Sequence, residues 1–511
     1  MKVLFVYPDF LATRKKRGSD QFEITKGGWY SEGLASISAV LKEAGHQTAL
    51  MHLVEPASKS DFKDKIAKEK PEIVAFTVRT SAVPYVQRYL KWVKEINPSL
   101  LTVLGGVHAT IAPQDSIRVE GADIVCVGEG EGAMVDLCQA LEKKQKISKI
   151  PNLLIRRGKQ VVANPPRRLI YPLDSLPLPD FELFDVKNLI ASQTKTAVVI
   201  VSRGCPYSCG YCCNHKIREV YPDPEHYTRF RSPQNVMLYL KRLLSLYPWV
   251  SYIRFIDNIL GIQKEWLEEF ARLYKKEIGL PFACDHRADL ATPEILGLLR
   301  EAGCNFIYFG VESGDEDLRK NVLSRSMTNE QIKEAFAECR RLGIKTLAFN
   351  IVGLPFETPE KALKTVKLNA EINPNRMVPN IFTPYPYTKM YEISLEEGFI
   401  GPLVDYRDEV FLDQPNFSKE EVLFFAYFFQ PLVHSYRAAR SLNLRLYHQT
   451  MGRSGLQGKL DRIVLWPYLP RGFLTRLMKV WLKFVGGGKT LVRKKLPSFY
   501  LFLRDRVFSR V

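Results

Sequence analysis

Short apolar runs alternate with longer amphipathic stretches along the first 145 residues. The runs are Val3–Tyr7, Thr48–Leu53, Ile73–Val78, Leu101–Leu104 and Ile124–Val127. Between them, Gly33–Ala44, Tyr85–Ile96 and Glu131–Leu141 repeat apolar residues every three or four positions. The first pattern predicts buried strands and the second helices. Strands alternating with helices predict a parallel sheet covered on both faces. From about Gln145 to Ala197 the pattern weakens into a predicted hairpin at Asn152–Val162 and a proline-rich bridge, LDSLPLPDFELF, at Leu173–Phe184. Six strand-then-helix units follow, with strands at Ala197–Val201, Tyr252–Ile256, Pro281–Cys284, Phe306–Phe309, Thr346–Ile351 and Met377–Phe382. Helices such as Gln234–Tyr247, Lys264–Glu277, Pro293–Ala302, Asn329–Leu342 and Pro359–Ile372 separate them, and the series predicts a partial barrel. After Asn416 the pattern turns helical and aromatic, first at Glu421–Arg440 and again at Gly472–Val485. The predicted organisation is α/β, with domains at 1–145 and 197–400, a linker at 146–196 and a mostly α-helical region at 401–511.

The chemistry sits where strands end. Ligands of parallel sheets and barrels bind beyond the carboxyl ends of the strands. In the first domain those ends carry Thr77, Arg79, Thr80 and Ser81, then Gly105-Gly106-Val107-His108-Ala109-Thr110, then Gly128-Glu129-Gly130-Glu131. Glycines there let a ligand approach the backbone. No G-x-G-x-x-G follows the first strand, so a dinucleotide is not expected. In the barrel the first strand leads into SRGCPYSCGYCCN, Ser202 to Asn214. Cys205, Cys209 and Cys212 stand in a C-x-x-x-C-x-x-C spacing. Three thiolates on one short loop can hold three irons of a [4Fe–4S] cube and leave the fourth open to a small molecule, with Tyr211 beside it. A structural zinc normally has four ligands in two pairs. No second pair lies nearby, although His215 or Cys213 is available; Cys213 is otherwise read as a buried small residue. A disulfide knot would imply secretion, and no signal peptide is evident. The later strands end at Asp257-Asn258, at Arg287 in HRAD, at Gly310-Val311-Glu312-Ser313-Gly314, at Asn350-Ile351-Val352-Gly353-Leu354-Pro355 and at Thr383-Pro384-Tyr385-Pro386. Cys284, Cys304 and Cys339 fall on apolar faces and are read as core.

Composition changes the picture in one place. The 511 residues are 46% hydrophobic and carry a net charge of +18, of which +15 lies between Pro431 and Val511, where 17 Lys and Arg meet two acids. Within Gly472–Val485, Phe473, Leu474, Leu477, Met478, Val480, Trp481, Phe484 and Val485 share an arc of about 160° at 100° per residue, and Arg476, Lys479 and Lys483 lie opposite. A basic amphipathic helix of this kind suits an anionic membrane surface. Nucleic acid competes for the same charges but does not explain the apolar stripe. Packing of the stripe on the barrel is the third reading. No run of about 18 uncharged apolar residues occurs, so no membrane span is expected.

The cysteine spacing with Tyr211 resembles the signature of the radical S-adenosylmethionine (SAM) enzymes. GGVHAT, VGEGE and the helix ending in LKEAGH resemble the cobalamin-binding domain that precedes many of them, and L-P-x-P-D in the bridge matches too. The resemblance implies a Rossmann-like cobalamin domain before a radical SAM partial (β/α)6 barrel. It also implies a [4Fe–4S] cluster on Cys205, Cys209 and Cys212, SAM and cobalamin. Tyr211, Asp257, Asn258, Arg287, Glu312, Ser313 and Gly353 are then expected at SAM. Thr77, Gly105, Gly106, His108, Thr110, Gly128, Glu129 and Gly130 are expected at cobalamin. The D-x-H-x-x-G motif is missing, which suggests a cobalt without a histidine from that motif. Where relatives often show P-x-P-G-T, Tyr387 replaces the glycine, which leaves substrate identity open. The implied activity is methylation of an unactivated carbon of a lipid-like or otherwise hydrophobic metabolite. Oxidative ring formation, as on tetrapyrroles, and a non-catalytic sensor are the alternatives. The expected electron donor is of flavodoxin or ferredoxin type. The expected location is the cytoplasm, peripheral to the inner membrane face through 472–511.

Overall fold

The computed structural model describes residues 1–9, 28–186, 189–402, 404–406, 408–447, 455–466 and 469–482. They divide into two compact units. One holds the described residues up to 282 together with 385–392; the other holds 283–384 and those from 393 onward.

In the first unit Lys2–Pro8 (β1), Glu32–Glu43 (α1), Gln47–Leu53 (β2), Lys59–Glu69 (α2), Ile73–Thr77 (β3), Val83–Ile96 (α3), Leu101–Gly105 (β4), Val107–Ile111 (α4), Pro113–Arg118 (α5), Ile124–Cys126 (β5) and Glu131–Glu142 (α6) keep the predicted alternation. The five strands pair in parallel in the order β2-β1-β3-β4-β5. Both faces are covered. Val3, Phe5 and Tyr7 join Leu34 and Met134 in one core, while Leu4 and Val6 join Phe62 and Tyr89 in the other. That is why β1 reads as an unbroken apolar run rather than an alternation. The predicted hairpin forms as Leu153–Arg157 (β6) and Gln160–Ala163 (β7), but it is not confined to a linker. β6 pairs antiparallel with β5 and widens the sheet to seven strands.

Next come Ile190–Thr194 (α7), Thr196–Val199 (β8), Ser202–Arg203 (β9), Asn214–Glu219 (α8), Arg229–Phe230 (β10), Pro233–Leu246 (α9), Tyr252–Phe255 (β11) and Lys264–Glu277 (α10). β8 and β11 are parallel neighbours, with Thr196 opposite Tyr252 and Val199 opposite Phe255. Phe282–His286 (β12), all but its first residue in the second unit, is followed by Pro293–Ala302 (α11), Cys304–Glu312 (β13), Asn329–Arg341 (α12), Lys345–Val352 (β14), Pro359–Ile372 (α13), Arg376–Ile381 (β15) and Lys389–Glu396 (α14). β13, β14 and β15 pair in parallel. Three of these helices start the same way. Ser232, Thr292 and Thr358 each precede a proline and accept the N–H of the residue three positions on, at 3.1, 3.3 and 3.4 Å, so cap and proline together fix where α9, α11 and α13 begin. Cys284, Cys304 and Cys339 are buried, as expected of core residues.

The tail forms Lys419–Tyr447 (α15), Gly455–Val464 (α16) and a last helix over 471–482 (α17). α15 is longer than its periodicity predicts. Val422, Phe425, Phe429 and Val433 bury one stripe of it against Leu363 and Val366 of α13. Residues 483–511, the rest of the predicted basic segment, lie outside the described residues.

Candidate functional site

The cysteine loop is built before its thiols matter. β9 pairs antiparallel with β10, Arg203 opposite Arg229. Gly204 then turns the chain at φ +83°, and a Cβ there would overlap the Tyr227 carbonyl. Cys205 and Cys212 are half-buried and Cys209 is buried; all nine cysteines of the chain are thiols. The Cys212 amide donates to the Cys209 carbonyl at 3.0 Å, which closes the last turn of the loop. The Asn258 side chain donates to the Gly204 carbonyl at 3.0 Å and accepts from Asn214 at 3.2 Å. Asn214 in turn accepts from the Tyr227 hydroxyl at 3.1 Å and donates to the Cys212 sulfur at 3.4 Å. Asn258, expected at SAM, thus braces both ends of the cysteine loop. Cys213 is half-buried rather than buried. It stands at the start of α8 with its thiol beside that of Cys212, and that neighbour and burial push its pKa up. Among the described residues no three His, Cys, Asp or Glu converge as ligands of one ion. In a cube each of the three thiolates of the loop would bind a separate iron.

Beside the loop lies a cavity of about 450 Å³, wholly inside the first unit. Thr77, Gly105, Gly106, Thr110, Gly128 and Gly130 line one side of it, and Ser202 to Gly204, Asp257 and Asn258 another. Two of the glycines are required by the backbone and packing themselves. A Cβ on Gly106 would come within 2.9 Å of the Thr77 hydroxyl, and one on Gly128 within 2.7 Å of the Tyr221 hydroxyl. Such a side-chain-free floor at the carboxyl ends of β3, β4 and β5 fits a large planar cofactor such as cobalamin. His108 does not line this cavity. It is buried with Nδ1 3.2 Å from the Thr80 hydroxyl, and burial pushes its pKa down to about 4, so the ring is neutral.

Glu129 also lines the cavity, but its carboxylate is engaged. Arg203 and Arg229 each donate to it at 2.8 Å, and the Ile170 amide at 3.1 Å. Burial alone would raise its pKa; the two guanidiniums outweigh that and hold it below the usual range. Arg203 also bonds Glu131, which accepts from Ser36 at 2.7 Å. The VGEGE segment is therefore clamped to the residue that precedes Gly204. Sequence reasoning missed Arg203 as a functional residue, although it stands inside the cysteine motif. It also missed Glu32, which lines the cavity, accepts from the Tyr239 hydroxyl at 3.0 Å and is pushed up to about 7 by burial.

Asp257 is fixed through one oxygen. Oδ1 accepts from the Val201 and Ser202 amides, at 2.9 and 2.6 Å, and from the Ser202 hydroxyl. Oδ2 is buried without a hydrogen-bond partner. Burial pushes Asp257 up from 3.8 to about 6. A raised acid favours the fold below its unfolded pKa and loses that benefit as pH rises through its folded pKa. The stability difference between Asp257→Asn and wild type is expected to grow in favour of Asn from about pH 4 to about pH 6. It then stays level, after a change of at most roughly 3 kcal/mol. Melting temperatures across that range check it, and a flat difference would refute it.

Of the expected barrel residues, Arg287, Glu312, Ser313 and Gly353 belong to the second unit. Arg287 makes a two-pronged bond to Asp289 at 3.0 and 2.7 Å. Glu312 is buried at a bulge in β13 with φ +64°, a conformation a non-glycine residue rarely adopts. Strain of that kind gathers at functional sites. The Ser313 hydroxyl accepts from the Asp315 amide at 3.2 Å, and Gly353, at φ +82°, donates to Glu357 at 2.6 Å. Tyr387, in the first unit, keeps the left-handed backbone that glycine favours, at φ +60°, and its hydroxyl donates to Asp115 at 2.7 Å. Tyr211 is half-buried in the cysteine loop.

Comparison with known proteins agrees with this layout. Residues 199–368 match the radical SAM superfamily and residues 25–138 the B12 binding domain. An uncharacterized methyltransferase of Pyrococcus horikoshii is 27% identical over 72% of this chain and 79% of its own. An anaerobic magnesium-protoporphyrin IX monomethyl ester cyclase of Rubrivivax gelatinosus is 28% identical over 77% and 70%. A hopanoid C-3 methylase of Methylococcus capsulatus is 27% identical over 70% and 67%. The solved structure of the cobalamin-dependent S-adenosylmethionine radical enzyme OxsB matches with a TM-score of 0.64 at 15% identity, over 98% of this chain and 75% of that one. The shared fold is α/β, with an N-terminal B12-binding domain, a central half-barrel of parallel strands and a helical C-terminal region.

Proposed function

Because the chain belongs to the radical SAM enzymes that carry a B12-binding domain, we propose that it is a C-methyltransferase acting on an unactivated carbon of a hydrophobic metabolite. Bound here, a [4Fe–4S] cluster, SAM and cobalamin would supply reductive cleavage of SAM, hydrogen abstraction and methyl delivery. Cys205, Cys209 and Cys212 would hold the cluster, with Tyr211 beside it. The glycine floor from Gly105 to Gly130 would seat cobalamin, with Thr77 and Thr110 at its edge. Arg287, Glu312, Ser313 and Gly353 are assigned to SAM. The domains are taken as 1–145, 197–400 and 401–511; of the 146–196 segment between the first two, the β6–β7 hairpin belongs to the N-terminal sheet. The observation that carries the reading is one cavity lined both by Ser202, Arg203 and Gly204, which lead into the cysteine loop, and by the glycine-bearing strand ends.

A hydrophobic substrate fits the names of two relatives, a hopanoid methylase and a protoporphyrin ester cyclase. It also fits a half-buried aromatic row on β13 and β14, where Tyr308 lies 5.0 Å from Phe306 and 6.0 Å from Phe349 between ring centroids. Electrons come from a flavodoxin- or ferredoxin-type donor. Among the described residues no helix is long and apolar enough to cross a membrane. The proposed place is the cytoplasmic side of an anionic membrane, with peripheral contact through 472–511.

The similarity to a cyclase supports a second reading, oxidative ring formation with the same cofactors. One experiment separates them. Anaerobically reconstituted protein with cobalamin, reductant and a host lipid extract is assayed for the products of SAM. 5′-Deoxyadenosine together with S-adenosylhomocysteine is expected, and both disappear in Cys212→Ala. 5′-Deoxyadenosine alone would replace methyl transfer with ring formation. Neither product from protein loaded with both cofactors would refute both.

A further inference from the structure

The apolar arc of α17 is too wide for one interface, and the structure divides it. Leu474 packs against the core that α15 forms with α13, and Thr475 is buried beside it. Arg471 fastens the start of the helix to that core. It pairs with Glu421 at 3.2 Å and donates to the Val464 carbonyl at 2.9 Å. Four other residues of the arc face outward. Phe473 is 61% exposed, Leu477 51%, Val480 65% and Trp481 57%. Spaced i, i+4, i+7 and i+8, these four form one stripe. Exposed Arg476 flanks them.

We infer that this outward stripe inserts into the interfacial layer of an anionic bilayer, on a helix seated on its own core by the opposite face. The inference rests on the membrane reading of 472–511 and says which residues enter the lipid. Two observations select the occupant. Four large apolar side chains exposed side by side on one helix face form the kind of patch that marks an interaction site. The sequence around it, Pro431 to Val511, sets 17 basic residues against two acids. Arg471 and Lys479 are paired with Glu421 and Glu409, and the remaining excess complements anionic headgroups rather than another basic copy of the same chain. A helix lying in the interface needs such a stripe with Trp and Phe on it and cations at its rim.

The test uses the full chain and vesicles of phosphatidylcholine with and without phosphatidylglycerol. Flotation is expected only with the anionic vesicles. Phe473→Ser combined with Trp481→Ser is expected to weaken that binding tenfold or more, while thermal unfolding stays unchanged because both side chains are exposed. Independently, brominated phosphatidylglycerol should quench tryptophan fluorescence of the unaltered chain, and Trp481→Phe should remove most of the quenching. No flotation with anionic vesicles would overturn both the membrane reading and this inference. Flotation equally strong in the double variant would leave the membrane reading standing and overturn the inference, since the charges alone would then suffice. A self-associated chain that the double variant dissociates, with no lipid binding, would assign the stripe to a second copy and overturn it as well.

Discussion

Replacing Arg203 with methionine is expected to destabilise the first unit by about 3 kcal/mol or more, and to do so without touching a cysteine. Arg203 is the shared partner of Glu129 and Glu131. Burial alone would lower its pKa, but the two carboxylates outweigh that and raise it. Methionine preserves much of the volume and removes the charge. Glu129 keeps Arg229, but Glu131, only 4% exposed, keeps the Ser36 hydroxyl and no cation. A buried carboxylate without its cation is among the costlier defects in a protein, because neither water nor a counter-charge solvates it. Denaturant melts of the apo chain check the magnitude. Adding Glu131→Gln to Arg203→Met should restore a substantial part of the loss, since the orphaned charge is gone. An Arg203→Met variant as stable as wild type, or a double variant less stable than the single one, would show that the network is not a clamp.

That network was not legible in the sequence, and the reason is distance. Arg203 lies more than seventy positions from both glutamates, and nothing local distinguishes a clamping carboxylate from one that touches a ligand. Glu129 reads as a cofactor residue because it stands between two glycines at a strand end. The strands themselves were legible because burial on both faces writes an apolar run directly into the chain. The hairpin β6–β7 was legible as a hairpin but not as the edge of the N-terminal sheet, since pairing with β5 depends on a partner nearly thirty residues away. In α17 periodicity located the stripe but could not divide it. The same arc serves a packed face at Leu474 and an open one at Trp481, and only the position of α15 decides which is which. The cysteine motif stood out because its three thiols fall within eight residues beside Tyr211, so their proximity is visible in the chain itself.

Gly204→Ala is expected to abolish most cluster incorporation, although alanine is the smallest possible change. Two requirements meet at this position. The backbone sits at φ +83°, where an L-residue other than Asn or Asp costs about 1–2 kcal/mol. A Cβ would also overlap the Tyr227 carbonyl, which is backbone and cannot swing aside as a flexible side chain would. β9 and β10 must then separate, or the turn must open. Either movement displaces Cys205, the next residue, and breaks the Asn258 bond to the Gly204 carbonyl. A cube held by three thiolates tolerates little of this, because a displacement of about 1 Å at a reacting centre already costs on the order of a hundredfold in rate. Iron and sulfide per chain after anaerobic reconstitution should fall by more than half, and cleavage of SAM by a hundredfold or more. Gly297→Ala is the control. Gly297 lies within α11 with nothing near the new Cβ, and there alanine should stabilise the helix by about 1 kcal/mol and leave the cluster intact. Full cluster occupancy in Gly204→Ala would mean that the loop re-forms around a different turn, and that the clamp of Arg203 and Asn258 does not dictate where the first thiolate stands.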